Sequence, residues 1–589
     1  MESLLVRMCI EAATESADAV EKWRRQRRTL ERMPSHLADS LLHNLRRRRL
    51  LFPSLLEVFK YSVEEVDLKG ESCVDAEWMA YVGAFRYLRS LILADCHRIN
   101  NSAIWIITGA TSLKELDLSR CSKVTDAGIR SLLSVPSLEK LCVSETGVTA
   151  DGVALLASLT NLLVLDLGGL PVTDSALSSL QALKKLKHLD LWGSQISNKG
   201  AVLLKMFPSL SFLNLAWTYV TNLPNLCSLA CLNMSNCTIH SLFGGEGQKI
   251  FLEKVILSGA SIADVSEAFQ YVETSKLCLL DISNSSIQSF SFLCSMNTLT
   301  DLNLSDCALD NDSVEHVACV GAKLRYLNLC NTKVMSDGIG VLAGHVPNLE
   351  TLLLSGTPVD DRAILYISMM PSLKVVNLSK TNVKGVICPE GDDLDEIPSL
   401  SALENIVHLE RLDLEMLQMK DSAIPPITKM SKLNYLSLGS VSLTDLSLHQ
   451  ISSSANLIHL GVRDAVLTDG GLISFIPPPA LEVLDLRGCW LLTKDALLYF
   501  CDKYPHIELR HELVETIDRR NFDYSSASRA NMRRTSQSKH KQGKTKPSVS
   551  PVRSDGVFLD QRLKYSREEL LALQFSSVAC STSRSWGNP

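Results

Sequence analysis

Acidic and amide side chains of similar size recur along the sequence at a nearly constant spacing. Each stands between two large apolar residues, and the members are Asp117, Asp166, Asp190, Asn214, Asn233, Asp281, Asn303, Asn328, Asn377, Asp413 and Asp485. A row of carboxylates could supply metal ligands or general acid–base groups. The regularity favours another interpretation, because a feature of every unit shapes the backbone of the unit and a catalytic group is needed only once.

No other constellation of reactive residues appears. The 13 histidines are scattered, and the sequence contains no nucleophile elbow, no HExxH and no P-loop. Cys227 and Cys231 lie close together but lack a matching Cys or His pair at zinc spacing. We therefore predict a non-enzymatic protein without a metal site or a cofactor.

The cysteines instead follow the same spacing as the polar row. One position of the unit, called the slot below, lies three residues after the last strand leucine. It is occupied by Cys96, Cys121, Cys237, Cys307 and Cys489, and in other units by Thr146, Thr218, Thr332, Thr357 and Thr381. A slot that accepts Cys or Thr requires a small inward side chain, so we expect packing rather than disulfides. We see no signal-peptide pattern and no apolar run of membrane-spanning length. These features predict reduced thiols, a cytoplasmic or nuclear location or both, and no membrane partner.

The unit that positions these residues is clearest at 113–137, LKELDLSRCSKVTDAGIRSLLSVPS. Leu113, Leu116 and Leu118 form the L-x-x-L-x-L strand of a leucine-rich repeat, and the second half has apolar residues at helical spacing. Such a period indicates a solenoid, in which stacked units bury what one unit leaves exposed. The sequence predicts an α/β horseshoe over residues 61–515.

The strand half can be followed through eighteen units. Their first positions are Val63, Leu88, Leu113, Leu138, Leu162, Leu186, Leu210, Leu229, Leu252, Leu277, Leu299, Leu324, Leu349, Leu373, Leu409, Leu433, Leu457 and Leu481. Most steps are 24 or 25 residues. The third, fifth and seventh positions of each unit should face the concave side, because side chains alternate along a strand.

Some units place large or charged residues on or next to these positions. The candidates for binding a protein partner are His188, Trp192, Phe212, Trp217, Tyr219, Tyr326, Arg411, Tyr435, His459 and Arg463. Aromatic residues and arginine dominate the energetics of protein interfaces. For Trp217 and Tyr219 an alternative is open, namely that they only pack the turn after the strand.

The first 60 residues have a helical pattern. We predict one helix over residues 1–32, with apolar residues at helical spacing that include Leu5 and Cys9, and a second helix after Pro34. One interpretation is a cap that covers the open end of the solenoid core.

The same segment resembles known docking motifs. Leu4, Leu5, Cys9 and Ala13 match the box that binds elongin C, and the cullin-binding box is matched by Met33, Pro34, Leu37, Leu41 and Leu45. In this order, before leucine-rich repeats, they resemble the Zyg-eleven and Zer-one family of substrate receptors for cullin-RING ubiquitin ligases. The sequence lacks the family's armadillo-like block, so the family's substrates are not carried over.

F-box leucine-rich-repeat proteins are a second resemblance. Met33, Pro34 and the following leucines fit the opening of an F-box loosely, and CSKVTD at 121–126 is similar to the repeats of those proteins. This resemblance implies a Skp-type adaptor in place of elongin C.

The repeat pattern stops near residue 515. Residues 516–560 are basic and rich in serine, which predicts disorder and at most weak contact with nucleic acid; the net charge of the whole chain is −6. Within 561–575, Tyr565, Leu570 and Leu571 resemble the helical motif that docks on the mRNA cap-binding initiation factor. A short helix that caps the last repeat is the alternative.

Three hypotheses follow. The chain is the substrate-recognition subunit of a cullin-RING ubiquitin ligase with its target on the concave face. Alternatively, it is a non-enzymatic scaffold whose N-terminal helices only cap the repeats, or a translation regulator that acts through Tyr565, Leu570 and Leu571.

Overall fold

The computed structural model describes residues 4–25, 33–244, 249–387 and 397–514, with the side chain of Leu4 excepted. The chain divides into two compact units, Met1–Asn328 and Leu329–Pro589. Within the described ranges no helix combines the length and the apolar character that crossing a bilayer requires.

The first unit is built from short strands, one from each repeat. The strands are β1 (Glu65–Asp67), β2 (Ser90–Ile92), β3 (Glu115–Asp117), β4 (Lys140–Cys142), β5 (Val164–Asp166), β6 (His188–Asp190), β7 (Phe212–Asn214), β8 (Cys231–Asn233), β9 (Thr238–Ile239), β10 (Ile250–Phe251), β11 (Lys254–Ile256), β12 (Ser261–Ile262), β13 (Val272–Glu273), β14 (Leu279–Asp281), β15 (Asp301–Asn303) and β16 (Tyr326–Asn328). All except β9, β10, β12 and β13 form one parallel sheet in chain order. The four exceptions make two small parallel pairs, β9 with β12 and β10 with β13.

Short helices follow most of these strands. The α-helices are α1 (Leu4–Ala13), α2 (Ala17–Arg24), α3 (Ser35–Arg47), α4 (Ala76–Val82), α5 (Asn101–Ile107), α6 (Asp126–Leu132), α7 (Ala150–Leu155), α8 (Asp174–Ser179), α9 (Asn198–Leu203), α10 (Val265–Phe269) and α11 (Asn311–Ala318). The 3-10 helices are Pro53–Phe59, Leu156–Ser158, Leu180–Ala182, Leu204–Met206, Thr274–Lys276, Ser291–Ser295 and Gly321–Lys323.

The leucines of the strand half form the core, as predicted. Leu113, Leu116 and Leu118 are buried, and Leu116 pairs in register with Leu91 and Leu141. The third, fifth and seventh residues lie on the opposite side of the sheet, which is called the open face below. The predicted α/β repeat fold is confirmed.

The polar residue at the fifth position closes a turn after the strand, which confirms its architectural role. Asp117 Oδ1 accepts a hydrogen bond from the backbone N–H of Ser119, 2.9 Å away. The same hydrogen bond, donated by the backbone N–H of the seventh position to the side-chain oxygen of the fifth, recurs in other repeats. The accepting residues are Asp166, Asp190, Asn214, Asn233, Asp281, Asn303, Asn377, Asp413 and Asp485. A side-chain oxygen that bonds two residues ahead stabilises a turn, for which Asn and Asp are the best suited residues.

The cysteine slot is a buried packing position, as predicted. Each slot thiol donates to the carbonyl oxygen at the end of the preceding strand segment, for example Cys121 Sγ to Leu93 O at 3.1 Å. The threonines of the slot donate to a carbonyl of their own repeat, for example Thr357 Oγ1 to Leu354 O at 2.6 Å. All cysteines of the described ranges are free thiols.

Successive helices are linked through an acidic residue in their first turn. Asp126 accepts from both the backbone N–H and the hydroxyl of Thr149, at 2.8 and 2.7 Å, and Thr149 is the N-cap of the next helix. Asp174 holds Ser197 in the same way. This link explains the small residue three positions after the cap, because a Cβ on Gly152 would lie 2.1 Å from Asp126 Oδ1.

The N-terminal region covers the first repeat. In α3, Leu41, Leu42 and Leu45 are buried, and Arg46 Nη1 lies 2.6 Å from an oxygen of Asp67 on β1. The single helix expected over 1–32 is wrong for the described part, which contains α1 and α2. The helix breaks there because Ser16 caps α2, with its hydroxyl accepting from Ala19 N.

The second unit repeats the same construction. Its strands are β17 (Thr351–Leu353), β18 (Val375–Asn377), β19 (Val386–Ile387), β20 (Ile397–Pro398), β21 (Arg411–Leu414), β22 (Tyr435–Gly439), β23 (His459–Arg463), β24 (Val483–Asp485) and β25 (Glu508–Arg510). Its α-helices are α12 (Ser336–Ala343), α13 (Arg362–Ile367), α14 (Asp445–Ile451), α15 (Asp469–Ser474) and α16 (Lys494–Lys503), and its 3-10 helices are Ser399–Asn405, Asp421–Ala423 and Ile427–Lys429. All strands except the antiparallel pair β19 and β20 form a parallel sheet in chain order.

The last strand, β25, was not among the eighteen predicted. Polar His506 stands where a repeat has its first leucine, and His511 replaces the last one. His511 is nevertheless buried, and its Nε2 lies 3.3 Å from the carbonyl oxygen of Cys489. This hydrogen bond lets a polar ring occupy an apolar position.

Candidate protein-binding surfaces on the open face

The first unit carries a group of aromatic side chains on and beside its open face. His188 and Phe212 occupy the third positions of the paired strands β6 and β7, and their rings stack with centroids 5.5 Å apart. Trp192 follows β6 at a seventh position and is half-buried. Together with Trp217 and Tyr219 these residues are called the aromatic patch below.

Trp192 is seated on the backbone of the preceding repeat. A Cβ on Gly168 would lie 2.0 Å from the indole Nε1, and one on Gly169 would lie 3.3 Å from the six-membered ring. Any side chain at Gly168 would therefore displace the indole. The sequence contains this signal as Gly168-Gly169 one repeat before the tryptophan, but sequence reasoning did not connect the two.

Trp217 and Tyr219 do not pack the turn. They are 64% and 76% exposed, so the alternative left open by the sequence is wrong. Trp217 also has a left-handed backbone with φ +59°, as does the equivalent turn residue of other repeats, among them Arg120, Glu145 and Gly193. An L-residue pays roughly 1–2 kcal/mol for this conformation. The left-handed conformation is a regular feature of the repeat turn, and what distinguishes Trp217 is its large exposed ring.

Two carboxylates lie beside the aromatic patch. Asp166 and Asp190 pair in register on β5 and β6, and burial raises the pKa of both. Their hydrogen-bond donors are uncharged: Asp166 accepts from Gly168 N and Ser144 Oγ, and Asp190 from Trp192 N and Asn214 Nδ2.

The second unit presents a stack of three planar groups on neighbouring strands. Arg411, Tyr435 and His459 pair in register at third positions of β21, β22 and β23. The guanidinium carbon of Arg411 lies 3.7 Å from the centroid of Tyr435, whose ring stacks on His459 at 4.3 Å. Burial lowers the pKa of His459, so the stack holds a neutral imidazole at pH 7. Arg411 is exposed and forms no ion pair with any residue that the structure describes.

Arg463, by contrast, is engaged within the protein. Its guanidinium lies 3.0 Å from Glu415 Oε1 and 2.6 Å from Asp485 Oδ2. Arg487 also binds Asp485, at 2.6 Å, and the two arginines hold the pKa of the buried Asp485 well below its usual range. Sequence reasoning missed Glu415 and Arg487 and placed Asp485 only in the polar row. This network gives Arg463 a structural role.

Tyr326 belongs to neither group. It lies half-buried on β16, in register with Asp301 of β15.

The repeats are recognised by a family model. The model described as "Leucine Rich repeat" matches residues 109–133, 182–205 and 295–318. The chain is a leucine-rich-repeat protein. No curated protein matches it.

Several solved structures resemble this chain, all with low TM-scores. A leucine-rich-repeat protein of Leptospira interrogans is 17% identical with TM-score 0.38, over 76% of this chain and 95% of that one. The leucine-rich-repeat ectodomain of a plant membrane receptor kinase from Arabidopsis thaliana was solved in complex with Casparian strip integrity factor 2. It is 20% identical with TM-score 0.40, over 69% of this chain and 51% of that one. An internalin of Listeria monocytogenes is 16% identical with TM-score 0.32, over 70% of this chain and 88% of that one. The repeats themselves, and not these likenesses, establish the fold.

The two N-terminal boxes of this leucine-rich-repeat protein differ in exposure. On α1, Leu5 is 71% exposed, Met8 and Cys9 are also exposed, and Ala13 is half-buried. In the second box, Leu41 and Leu45 are buried in the cap, while Met33 and Leu37 are half-buried and Pro34 is exposed. The first box therefore leaves its described apolar residues exposed to solvent, whereas Leu41 and Leu45 are buried in the cap.

Tyr565, Leu570 and Leu571 lie outside the described residues. Among the described residues no group of three or more His, Cys, Asp and Glu side chains is arranged to hold a metal ion.

Proposed function

We propose that this leucine-rich-repeat protein is a non-catalytic receptor that holds a protein target on the open face of its first unit. The observation that carries this proposal is the pair of large exposed rings, Trp217 and Tyr219, beside the open face. Aromatic residues are enriched at the centres of protein interfaces. Tryptophan is also the residue type most enriched among the positions that contribute most to protein interfaces.

We further propose that the chain acts as the substrate-recognition subunit of a cullin-RING ubiquitin ligase. The support is the apolar face of α1, where Leu5, Met8 and Cys9 remain exposed although Ile10 and Thr14 of the same segment are buried. An amphipathic helix that leaves apolar residues in water is suited to docking in a groove of a partner. Elongin C is the adaptor that the resemblance of this helix implies, and a Skp-type adaptor is the alternative.

In this proposal the two N-terminal boxes have different roles. The adaptor binds α1, and α3 with its buried Leu41 and Leu45 closes the end of the repeats. A cullin would then reach the exposed Pro34 and the outer side of α3. The free thiols suit a cytoplasmic or nuclear location, which a fluorescent fusion of the full chain would test.

Mixing the purified full chain with purified elongin C tests the proposal. The double variant Leu5→Arg and Cys9→Arg should abolish co-elution, because two charges would enter the groove. Trp105→Arg is the matched control, since Trp105 is 69% exposed on α5 and lies outside the boxes. If the chain binds neither elongin C nor a Skp-type adaptor, the ligase proposal is wrong.

A further inference from the structure

The carboxylates beside the aromatic patch lack a cationic partner. On β5 to β8 and the seventh positions after them, all of which the structure describes, no open-face position carries Lys or Arg. Asp166 and Asp190 are therefore adjacent, half-buried negative charges that only uncharged groups solvate. Paired strands lie about 4.8 Å apart, so each carboxylate increases the cost of ionising the other.

Aromatic residues lie on the repeat of Asp190 and on the next one. The indole of Trp192 lies against Gly168, two residues beyond Asp166, and Trp192 itself donates its backbone N–H to Asp190. Trp217 and Tyr219 add two exposed rings one repeat further on. Aromatic faces attract cations, and the attraction is strongest for tryptophan.

We propose that the aromatic patch binds a lysine or arginine side chain of the target, with the cation directed towards Asp166 and Asp190. This inference rests on the proposed function and gives the chemistry of the target as a basic, solvent-exposed peptide segment. The aliphatic stem of the side chain packs against the rings, and its charge replaces the counter-ion that the open face lacks. Because burial raises the pKa of both carboxyls, keeping them ionised costs free energy, and a bound cation offsets this cost.

Calorimetric titration of the full chain tests this inference, with nona-arginine as the probe and nona-glutamate as its matched opposite. We expect nona-arginine to bind, more weakly at higher salt, and nona-glutamate not to bind. Trp217→Gly and Asp166→Asn should each weaken the binding of nona-arginine about three- to tenfold. Glycine suits the left-handed position of Trp217, and asparagine occupies the position of Asp166 in other repeats, so both variants should fold.

Two control variants define the specificity of the effect. Trp105→Ala removes an exposed tryptophan elsewhere, and Asp281→Asn removes an equivalent carboxylate in a distant repeat. Neither should change the affinity. Melting temperatures of all variants verify that the fold is retained.

Three results would overturn the inference. They are an unchanged affinity in the double variant Trp217→Gly and Asp166→Asn, equal binding of nona-glutamate, and concentration-dependent self-association that the double variant abolishes. The last result would mean that the chain itself covers the patch. Binding of elongin C by the same preparation is independent of the patch, so it shows whether the proposed ligase function stands when the inference fails.

Discussion

Arg463 and Glu415 form an ion pair across an intervening strand. Arg463 ends β23 and Glu415 directly follows β21, and β22 separates these two strands, yet the guanidinium and the carboxylate lie 3.0 Å apart. The reach is possible because the residue of β22 between them is Gly439, which has no side chain to obstruct it. The same guanidinium binds the buried Asp485, so one arginine connects residues of three repeats of the second unit.

Arg463→Ala should destabilise the second unit by about 2 kcal/mol, because a buried carboxylate loses one of its two cations. Chemical denaturation of the full chain measures this effect. Arg362→Ala is the control, since Arg362 is an exposed arginine whose ion pair with Asp360 is long at 3.8 Å.

The pH dependence of stability gives a second measurement on this network. The pKa of Asp485 is lowered in the folded chain, so its stabilisation is present above the pKa of the unfolded chain, about 3.9. The stabilisation is lost as the pH falls below that value towards the folded pKa. Asp485→Asn should therefore cost stability at pH 7 and reduce the further loss on acidification. An acid profile identical to that of the wild type would contradict the role of Asp485.

Gly152→Ala should lower the free energy of unfolding by about 2 kcal/mol. The new Cβ would lie 2.1 Å from Asp126 Oδ1, so the carboxylate would have to leave the two groups of Thr149 that it holds. Gly109→Ala is the matched control, because a Cβ there meets nothing within 4 Å. Equal stabilities of the two variants would show that the link between helices contributes little.

Trp217→Gly and Trp217→Ala should differ in stability although both remove the ring. Glycine accepts the left-handed backbone without cost, whereas alanine keeps the penalty, so the glycine variant should be more stable by about 1 kcal/mol. Thermal melting of the two variants makes the comparison. If alanine is the more stable of the two, the left-handed conformation is not a source of strain.

Cysteine alkylation should separate two classes of thiol. Burial raises the pKa of Cys96 to about 11 and that of Cys121 to about 12, so both are protonated at pH 7 and also shielded. Cys9, Cys73 and Cys227 are exposed. Mass spectrometry after brief iodoacetamide treatment should find the exposed thiols modified and the buried two unmodified until the chain is unfolded. Early modification of Cys121 would contradict the packing role of the slot.

The repeating features could be predicted from the sequence because every unit imposes the same geometry. Leu116 is buried, Asp117 closes a turn and Cys121 packs inwards, each for a reason that recurs in the neighbouring repeats. The strand β25 was missed because His511 has a polar ring and is buried only through a hydrogen bond to the preceding repeat.

The candidate site was predictable only in part. The exposed rings of Trp217 and Tyr219 were identified as unusual residues, but whether they faced water depended on the turn conformation. Arg463 was also selected by residue type, yet its partners Glu415 and Asp485 lie 48 and 22 positions away. Contacts across strands depend on which residues share a register, and a single sequence does not display this.

The link between Asp126 and Thr149 has a direction. Each such aspartate belongs to the earlier repeat and fixes the start of the helix in the later one, as Asp445 and Asp469 also do for Thr468 and Thr493. Removing the repeat that follows a link leaves the aspartate without its partners, and water solvates this carboxylate readily. Removing the repeat that precedes a link deprives the next helix of the aspartate that orders its first turn. The repeats thus depend on their predecessors more than on their successors, and fraying proceeds more easily from the carboxyl end of a linked series.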